Sequence, residues 1–384
     1  MYVMIISRGY PTDKYKMNGI FEFDQAKALA KAGCKVVFAA IDVRSIRRWR
    51  KWGLERQEIE GVNVYVINIP GGRLPKAILH KVTSIGLSIL YKIILKDLGK
   101  PDILHAHFTE VGYVALTLKQ QINVPLVITE HSSLINKPVI EKQLFNTATV
   151  VYEKADAVIS VSPALANVIE DKFNIKSLYV PNIVDTKLFT YTIRPKSSSF
   201  NFVSIGNLIY GKRMDLTIEA FYIAFRDFSN VTLTIFGEGG ERSKIEGIIK
   251  KYCLENRVLL MGMCSREVIK EKLKNSDCFV LASRSETFGV AYIEALASGV
   301  PVIATKCGGP EVFVNTENGR MIQVDNLDAL VSSMKYMYTN CVDFDREKIS
   351  AEIKLKFSPE YVSKKLLDVY QQVIYSEATI KKYK

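Results

Sequence analysis

Short apolar, β-branched runs alternate along the whole chain with segments of near-3.6 periodicity, and this alternation leaves few folds open. In the first half the runs are Tyr2–Ser7, Lys35–Ala40, Asn63–Ile69, Ile103–His107, Pro125–Glu130, Ala157–Val161 and Leu178–Val180. In the second they are Phe202–Gly206, Val231–Gly237, Val258–Met261, Cys278–Leu281 and Val300–Ala304. Each has the length of a buried strand and is apolar on both faces, while amphipathic segments such as Phe21–Lys31 and Asp215–Phe225 lie between them. Strands apolar on both faces need helices above and below. The expected fold class is therefore α/β, with parallel, doubly wound sheets.

The 384 residues suffice for two such sheets. A break at Thr190–Ser199, where Arg194, Pro195, Lys196 and three serines interrupt the periodicity, predicts the linker. The expected division is an N-terminal Rossmann-like domain over 1–189, a linker over 190–199 and a second Rossmann-like domain over 200–357. A C-terminal helix over 358–384 is expected to cross back to the first domain, with Val362, Leu366, Val369 and Val373 on one face. Two open α/β sheets bind ligands at the carboxyl ends of their strands, so a cleft between the domains is expected.

Composition closes other classes. Apolar residues at 48% and charged residues at 24% are the usage of a globular chain. The most apolar stretch, Val82–Leu95, contains Lys92 and is shorter than the roughly 20 residues of a membrane span, so none is expected. Met1–Ser7 reads as a first strand, not a secretory signal, and the six cysteines show no C-x-x-C spacing. Buried free thiols in a reducing, cytoplasmic compartment are the expectation.

The net charge of +12 is unevenly divided: residues 1–200 hold 27 Lys/Arg against 17 Asp/Glu, whereas residues 201–384 hold 25 against 23. The excess peaks in Arg44, Arg47, Arg48, Arg50, Lys51 and Arg56, where Glu55 is the only intervening acid. An acidic partner is implied: nucleic acid, anionic lipid or a phosphorylated substrate.

Two segments that follow strands carry chemistry. Gly206-Asn207-Leu208-Ile209-Tyr210-Gly211-Lys212-Arg213 matches G-x-x-x-x-G-K, but Arg213 stands where a nucleotide triphosphatase needs Ser or Thr for Mg²⁺. Cations beside the free amides of a helix start still favour phosphate. Ser283 to Ala295 follows Cys278–Leu281 and enters a helix near Gly289, with Glu286 in the loop and Glu294 within the helix. Two acceptor-only groups flanking a row of amide donors suit a polyhydroxylated, phosphorylated ligand. Of the four histidines, His105 and His107 project to one strand face, and only His107 lies at its carboxyl end. Glu130 and His131 follow the next strand and are candidates for the same rim.

Glu286 and Glu294 form the E-x7-E pattern of retaining glycosyltransferases of the GT-B fold, and the chain resembles their family-4 members in particular. Pro181-Asn182-Ile183-Val184-Asp185 with Phe189 resembles the family's P-N-x-V-D-x-x-x-F, Gly206–Asp215 its lysine-bearing loop and Gly237-Glu238-Gly239 its G-D/E-G turn. Cys307–Glu311, Asn318-Gly319, Asn18-Gly19-Ile20 and His105–Phe108 resemble further segments, in family order.

The resemblance implies roles. Lys212 would bind the donor diphosphate with Arg213 assisting, Glu294 the ribose hydroxyls, and Glu286 the donor sugar, helped by the amides of Phe288, Gly289 and Val290. His107 would face the reacting centre, and Gly19 would let its loop approach the phosphates. Many members have Arg at Asn207, so Lys212 carries more of the diphosphate here. The donor would be a UDP- or GDP-sugar, a substrate rather than a cofactor, and no metal or other cofactor is expected. Asp343-Phe344-Asp345, the only Asp-x-Asp, lies away from these segments. The resemblance implies retention, with the first domain on the acceptor side and the second binding the nucleotide-sugar. Front-face attack is expected, since no nucleophile is evident opposite Glu286, and Glu130 and His131 would be acceptor-side contacts.

The acceptor is expected to be a glycan or a lipid-linked molecule, in cell-surface polysaccharide or glycolipid synthesis. Trp49 and Trp52 stand among Arg47, Arg48, Arg50 and Lys51, a membrane-interface composition. Lys76–Lys96 adds a polar stripe at steps of four. Peripheral docking on the anionic inner face of the cell membrane is expected, and nucleic acid is not. A GT-B-type sugar-nucleotide epimerase and a non-enzymatic acidic-polymer binder are the alternative readings. A dehydrogenase is disfavoured, because Ser7-Arg8-Gly9-Tyr10 after the first strand lacks G-x-G-x-x-G.

Overall fold

The computed structural model describes residues 1–12, 18–47, 51–71, 74–193 and 198–382, with side chains of the last helix described to residue 375. It comprises two compact units, Met1–Ile183 joined by the C-terminal helix, and Val184–Ser358.

The first unit runs β1 (Tyr2–Ser7), α1 (Ile20–Lys31), β2 (Lys35–Arg44), β3 (Gly53–Ile59), β4 (Val62–Pro70), α2 (Lys76–Leu98) and β5 (Ile103–His107). It continues through α3 (Thr109–Ile122), β6 (Leu126–Glu130), α4 (Lys142–Lys154), β7 (Ala157–Ser160), α5 (Pro163–Phe173) and β8 (Leu178–Tyr179). Its sheet has the order β3-β4-β2-β1-β5-β6-β7-β8, parallel except for β3. The order reverses between β1 and β5, which pair directly from Val3 opposite Ile103 to Ile6 opposite Ala106. One core layer joins Val3, Ile5, Val36, Phe38, Val64, Ile103 and Val127 to Phe23, Ala26 and Leu29 of α1.

The second unit runs β9 (Phe200–Ile205), α6 (Met214–Phe225), β10 (Val231–Phe236), α7 (Arg242–Lys251), β11 (Val258–Gly262), α8 (Arg266–Lys274) and β12 (Cys278–Leu281). After these come α9 (Val290–Ala297), β13 (Val302–Thr305), β14 (Gly319–Ile322), α10 (Leu327–Asn340) and α11 (Arg346–Phe357). The sheet is wholly parallel, β11-β10-β9-β12-β13-β14, with its reversal between β9 and β12. Both sheets are thus Rossmann-like, and each has a switch point where a ligand crevice forms outside the strand ends.

The last helix, α12 (Pro359–Lys382), packs on α1 in the first unit, where Val362, Leu366, Val369 and Val373 enter the core. The units divide at Ile183/Val184, earlier than the expected boundary after residue 189. Val184 N–H donates to the Phe357 carbonyl (2.9 Å) and Phe189 is buried against Arg266, so these residues belong with the second unit. Of the expected linker, Tyr191 is tied by its amide to Ser350 Oγ (3.4 Å), while residues 194–197 lie outside the described residues.

Three further departures have physical causes. The basic stretch Arg44–Arg56 is anchored by strands at both ends: β2 extends to Arg44 and β3 begins at Gly53. The β3–β4 hairpin turns through Glu60 and Gly61, both at positive φ (49° and 79°), the backbone a two-residue hairpin requires. Arg44 pairs with Asp42 (2.6 Å) and Arg56 with Asp97 (2.8 Å); Arg47 and Lys51 are exposed, Trp52 is half-buried, and Arg48, Trp49 and Arg50 lie outside the described residues. Second, α2 has 23 residues and is long and apolar enough to cross a membrane by length and composition. Gly86, Leu87, Leu90, Tyr91 and Ile94 are nevertheless buried, and the helix packs on β2, β4 and α3 as a covering layer. Third, β14 completes the second sheet, though its four residues carry little strand signal.

Candidate functional site

In the second unit the loops after β9 and β12 meet at the switch point. The β9 loop is held backbone to backbone: Gly206 N–H donates to Phe236 O (3.0 Å) and Leu208 N–H to Glu238 O (2.9 Å). A Cβ at Gly237 would lie 1.9 Å from the Gly206 carbonyl, and one at Gly239 2.2 Å from that of Leu208, so only glycine lets the two loops touch. Asn207 is exposed on this loop. A single 3-10 turn, Tyr210–Lys212, then aims Lys212 across the crevice.

Lys212 Nζ lies 2.5 Å from Glu286 Oε1, and the buried Ser283 hydroxyl donates to the same oxygen (2.7 Å). Glu286 is fixed by its own amide, which donates to Cys307 O (3.2 Å), and by a bridge to Gly308. Gly289 then turns the chain at φ 98° into α9, with Val290 as the first helical residue. The ring of Phe288 is buried edge-on against Phe313 and Phe357, so only its backbone can serve a ligand. Glu294 is nearly buried on α9, and Arg266 Nη2 reaches its Oε1 at 3.0 Å. Each glutamate of the pair thus faces its own cation.

Arg213 departs from its expected role. It sits in the left-handed region at the start of α6, and its guanidinium is held by Asp215 (3.1 Å) and by Asp325. Two carboxylates already match its charge.

In the first unit, Gly19 opens α1 at φ 69°, and a Cβ there would lie 2.2 Å from the Gly9 carbonyl. Ser7 Oγ donates to that carbonyl (2.8 Å) and reaches Glu22 Oε1 (3.3 Å). Three imidazoles form a column at the ends of β5 and β6. His105 stacks on His107 with ring centroids 4.4 Å apart, and His107 on His131 at 5.2 Å. His107 Nδ1 and His131 Nε2 are 2.9 Å apart, and His105 is anchored by Tyr370 of α12 (2.6 Å) and by Thr129 (2.7 Å). Burial drives all three toward the neutral form: His105 and His131 titrate at about 3, and His107 is held well below its ordinary value. His107 Nε2 is buried with no hydrogen-bond partner among the described residues.

Glu130 is not an acceptor-side contact. It is fully buried, and its carboxylate accepts from Thr109 N (3.1 Å), Thr109 Oγ1 (2.5 Å), Tyr152 OH (2.8 Å), His131 N (2.9 Å) and Ser132 N (2.7 Å). It braces the loop that carries His131. His80 touches Glu110 (2.5 Å) on α3.

Arg266, Ser283 and Arg8 are absent from the sequence-based site. Arg266 finds Glu294 only through two intervening crossovers, and no spacing announces that pairing. Arg8 had a signal, its place immediately after β1.

The signature of glycosyl transferases group 1 matches residues 192–354, and that of glycosyltransferase family 4 matches residues 23–188. Between them they take in most of both units. The chain belongs to the family-4 glycosyltransferases. This glycosyltransferase is similar to an uncharacterised glycosyltransferase of Methanocaldococcus jannaschii, at 25% identity over 74% of this chain and 78% of that one. It is also similar to the N-acetyl-alpha-D-glucosaminyl L-malate synthase of Bacillus anthracis, at 26% identity over 71% and 74%. Among solved structures, sucrose-phosphate synthase from Thermosynechococcus elongatus superposes with a TM-score of 0.78 at 20% identity, covering 98% of this chain and all of that one. Anabaena HepE in complex with UDP and glucose gives 0.73 at 17% identity, covering 97% and 100%. These structures share the GT-B fold.

Proposed function

We propose that this family-4 enzyme is a retaining, metal-independent transferase that moves a sugar from a UDP- or GDP-sugar to a glycan or lipid-linked acceptor. The reading rests on the Lys212–Glu286 pair across the β9/β12 switch point. An incoming diphosphate offers Lys212 a stronger partner than a single carboxylate, and exchange of that partner releases Glu286 Oε1 toward the hydroxyls of the transferred sugar. The leaving diphosphate gains negative charge as the glycosidic bond breaks, and Lys212 with the leading amides of α9 would stabilise it without a metal. Glu286 is already bound by Ser283 and Lys212, an environment suited to orienting hydroxyls rather than to attacking carbon. That favours front-face attack guided by the leaving phosphate, hence retention. Glu294 would receive the ribose. His107, through the open Nε2, would meet a hydroxyl at the reacting centre.

The enzyme would work at the cytoplasmic face of an anionic membrane, in cell-surface polysaccharide or glycolipid synthesis. The solvent face of α2 supports this: Ile78, Ile85 and Ile89 are exposed beside Lys81, Lys92 and Lys96, and no acid occurs from residue 76 to 96. The exposed Arg47 and Lys51 add to the positive side.

Titration calorimetry against UDP-, GDP- and ADP-sugars tests the donor reading. One nucleotide sugar should bind equally with and without a chelator, and Lys212→Ala should weaken it by about a hundredfold, the scale of a lost charge-assisted pair in a partly buried site. Unchanged affinity in that variant would remove Lys212 from the diphosphate.

A further inference from the structure

The switch point of the first unit holds a cation that the donor chemistry does not use. Arg8 follows β1 directly, beside the end of β5 that carries His107, since Ile6 is paired with Ala106. The residue is exposed, and among the described residues its guanidinium forms no hydrogen bond or ion pair. It is nevertheless not adrift. The guanidinium carbon sits 4.7 Å above the centroid of the Phe108 ring, and that ring in turn leans on His131 at 5.1 Å. An arginine on an aromatic face keeps its planar fork of donors oriented and available.

The platform is held at a cost. Phe108 has φ 68° and ψ 147°, a strained backbone region that side-chain-bearing residues scarcely visit. The strained turn is fixed at both ends, by Phe108 N–H to Thr129 O (2.9 Å) and Gly112 N–H to Phe108 O (2.9 Å). It presents the ring to Arg8 and leaves His107 Nε2 buried without a partner. Glu22, buried in the first turn of α1, feels the Arg8 charge, yet desolvation holds its pKa above the ordinary carboxylate value. The start of α1, with Gly19 in the left-handed region and no side-chain cap, adds unneutralised amide character on the same side of the sheet.

We propose that Arg8, oriented by Phe108, receives a phosphate group of the acceptor, and that this glycosyltransferase therefore selects a phosphate-bearing acceptor over its neutral counterpart. A guanidinium fork matches two phosphate oxygens at once, whereas a neutral sugar offers only hydroxyls. The proposal rests on the transferase reading for the word acceptor, but the anion site belongs to the first unit alone.

The test uses the full chain and inorganic phosphate as probe. Wild-type protein saturated with the nucleoside diphosphate it prefers should bind phosphate saturably in calorimetry. Arg8→Gln should weaken that binding about tenfold or more, the scale of one charge-assisted pair at an open site, while nucleotide affinity stays within about twofold. Arg8→Lys should fall between, since it keeps charge and loses the fork. Phosphate affinity unchanged in Arg8→Gln overturns the proposal, as does absence of saturable phosphate binding in the wild type. A matching loss of nucleotide affinity also overturns it, because the cation would then serve the donor. If the wild type binds no nucleoside diphosphate at all, the donor reading fails instead, and phosphate titration of the unliganded protein still reports on Arg8. A melting temperature for Arg8→Gln equal to that of the wild type identifies any loss as local.

Discussion

At the residue scale, the second unit's site pairs each of its two acids with a base, whereas the first unit's site stacks three buried imidazoles. The histidine column shows what the latter arrangement entails. His105, His107 and His131 fold as neutral rings because burial withholds the water that would stabilise their charge, so each releases its proton on folding below its ordinary value near 6.5. The stability they permit is complete above that value and is lost as pH falls through the range from about 6.5 toward 3. Acid unfolding of wild-type protein should therefore take up protons at all three rings. Replacing His105 with Asn should flatten the dependence of unfolding free energy on pH between 6 and 4 by about 1.4 kcal/mol per pH unit. Denaturant midpoints across that range measure it, and an unaltered slope would mean that the ring is already charged in the native state. The sequence pointed to His107 by its place at a strand end, and the structure gives it the open nitrogen of the column. It could not separate Glu130 from His131, adjacent in the chain, because the groups that engage the Glu130 carboxylate, Thr109 and Tyr152, come from other elements. Nor could it see that Asp215 and Asp325 occupy Arg213.

At the element scale, legibility followed burial. Strands covered on both faces, such as β1, β5 and β12, declare themselves as continuous apolar runs because both faces meet helices. β3 did not, since Gly53–Ile59 is an edge strand with both faces largely wet, and its Glu and Arg residues read as loop. The polar stripe expected along α2 proved to be a poor guide. Ser84 and Ser88 are half-buried and His80 is turned toward Glu110, while the exposed face carries isoleucines among lysines. That face fixes the membrane prediction more sharply than the tryptophan cluster could. Liposomes containing anionic lipid should co-sediment the wild-type protein, and Ile85→Asp with Ile89→Asp should reduce the bound fraction at least fivefold. Reversal of Arg47, Arg48 and Arg50 should reduce it as well, by about 1 kcal/mol per charge near the surface. Equal binding by all three proteins would remove the docking reading.

At the scale of the whole molecule, the chain leaves the first unit at Ile183, builds all of the second, and returns with α12. The return was written in the spacing of Val362, Leu366, Val369 and Val373. The exact division was not, because Val184–Phe189 follow the last strand of one sheet yet find their partners in the other unit. α12 seals the first unit's core and sets Tyr370 against His105. A chain cut after Ser358 should therefore expose that core to limited proteolysis, while residues 184–358, contiguous in sequence, stay resistant. Equal protease resistance of both regions would show that α12 is dispensable.

The same path imposes an order on birth at the ribosome. Residues 184–358 are made before α12, so the second unit can begin folding while the first still waits, its apolar floor uncovered, for residues 359–382 to arrive.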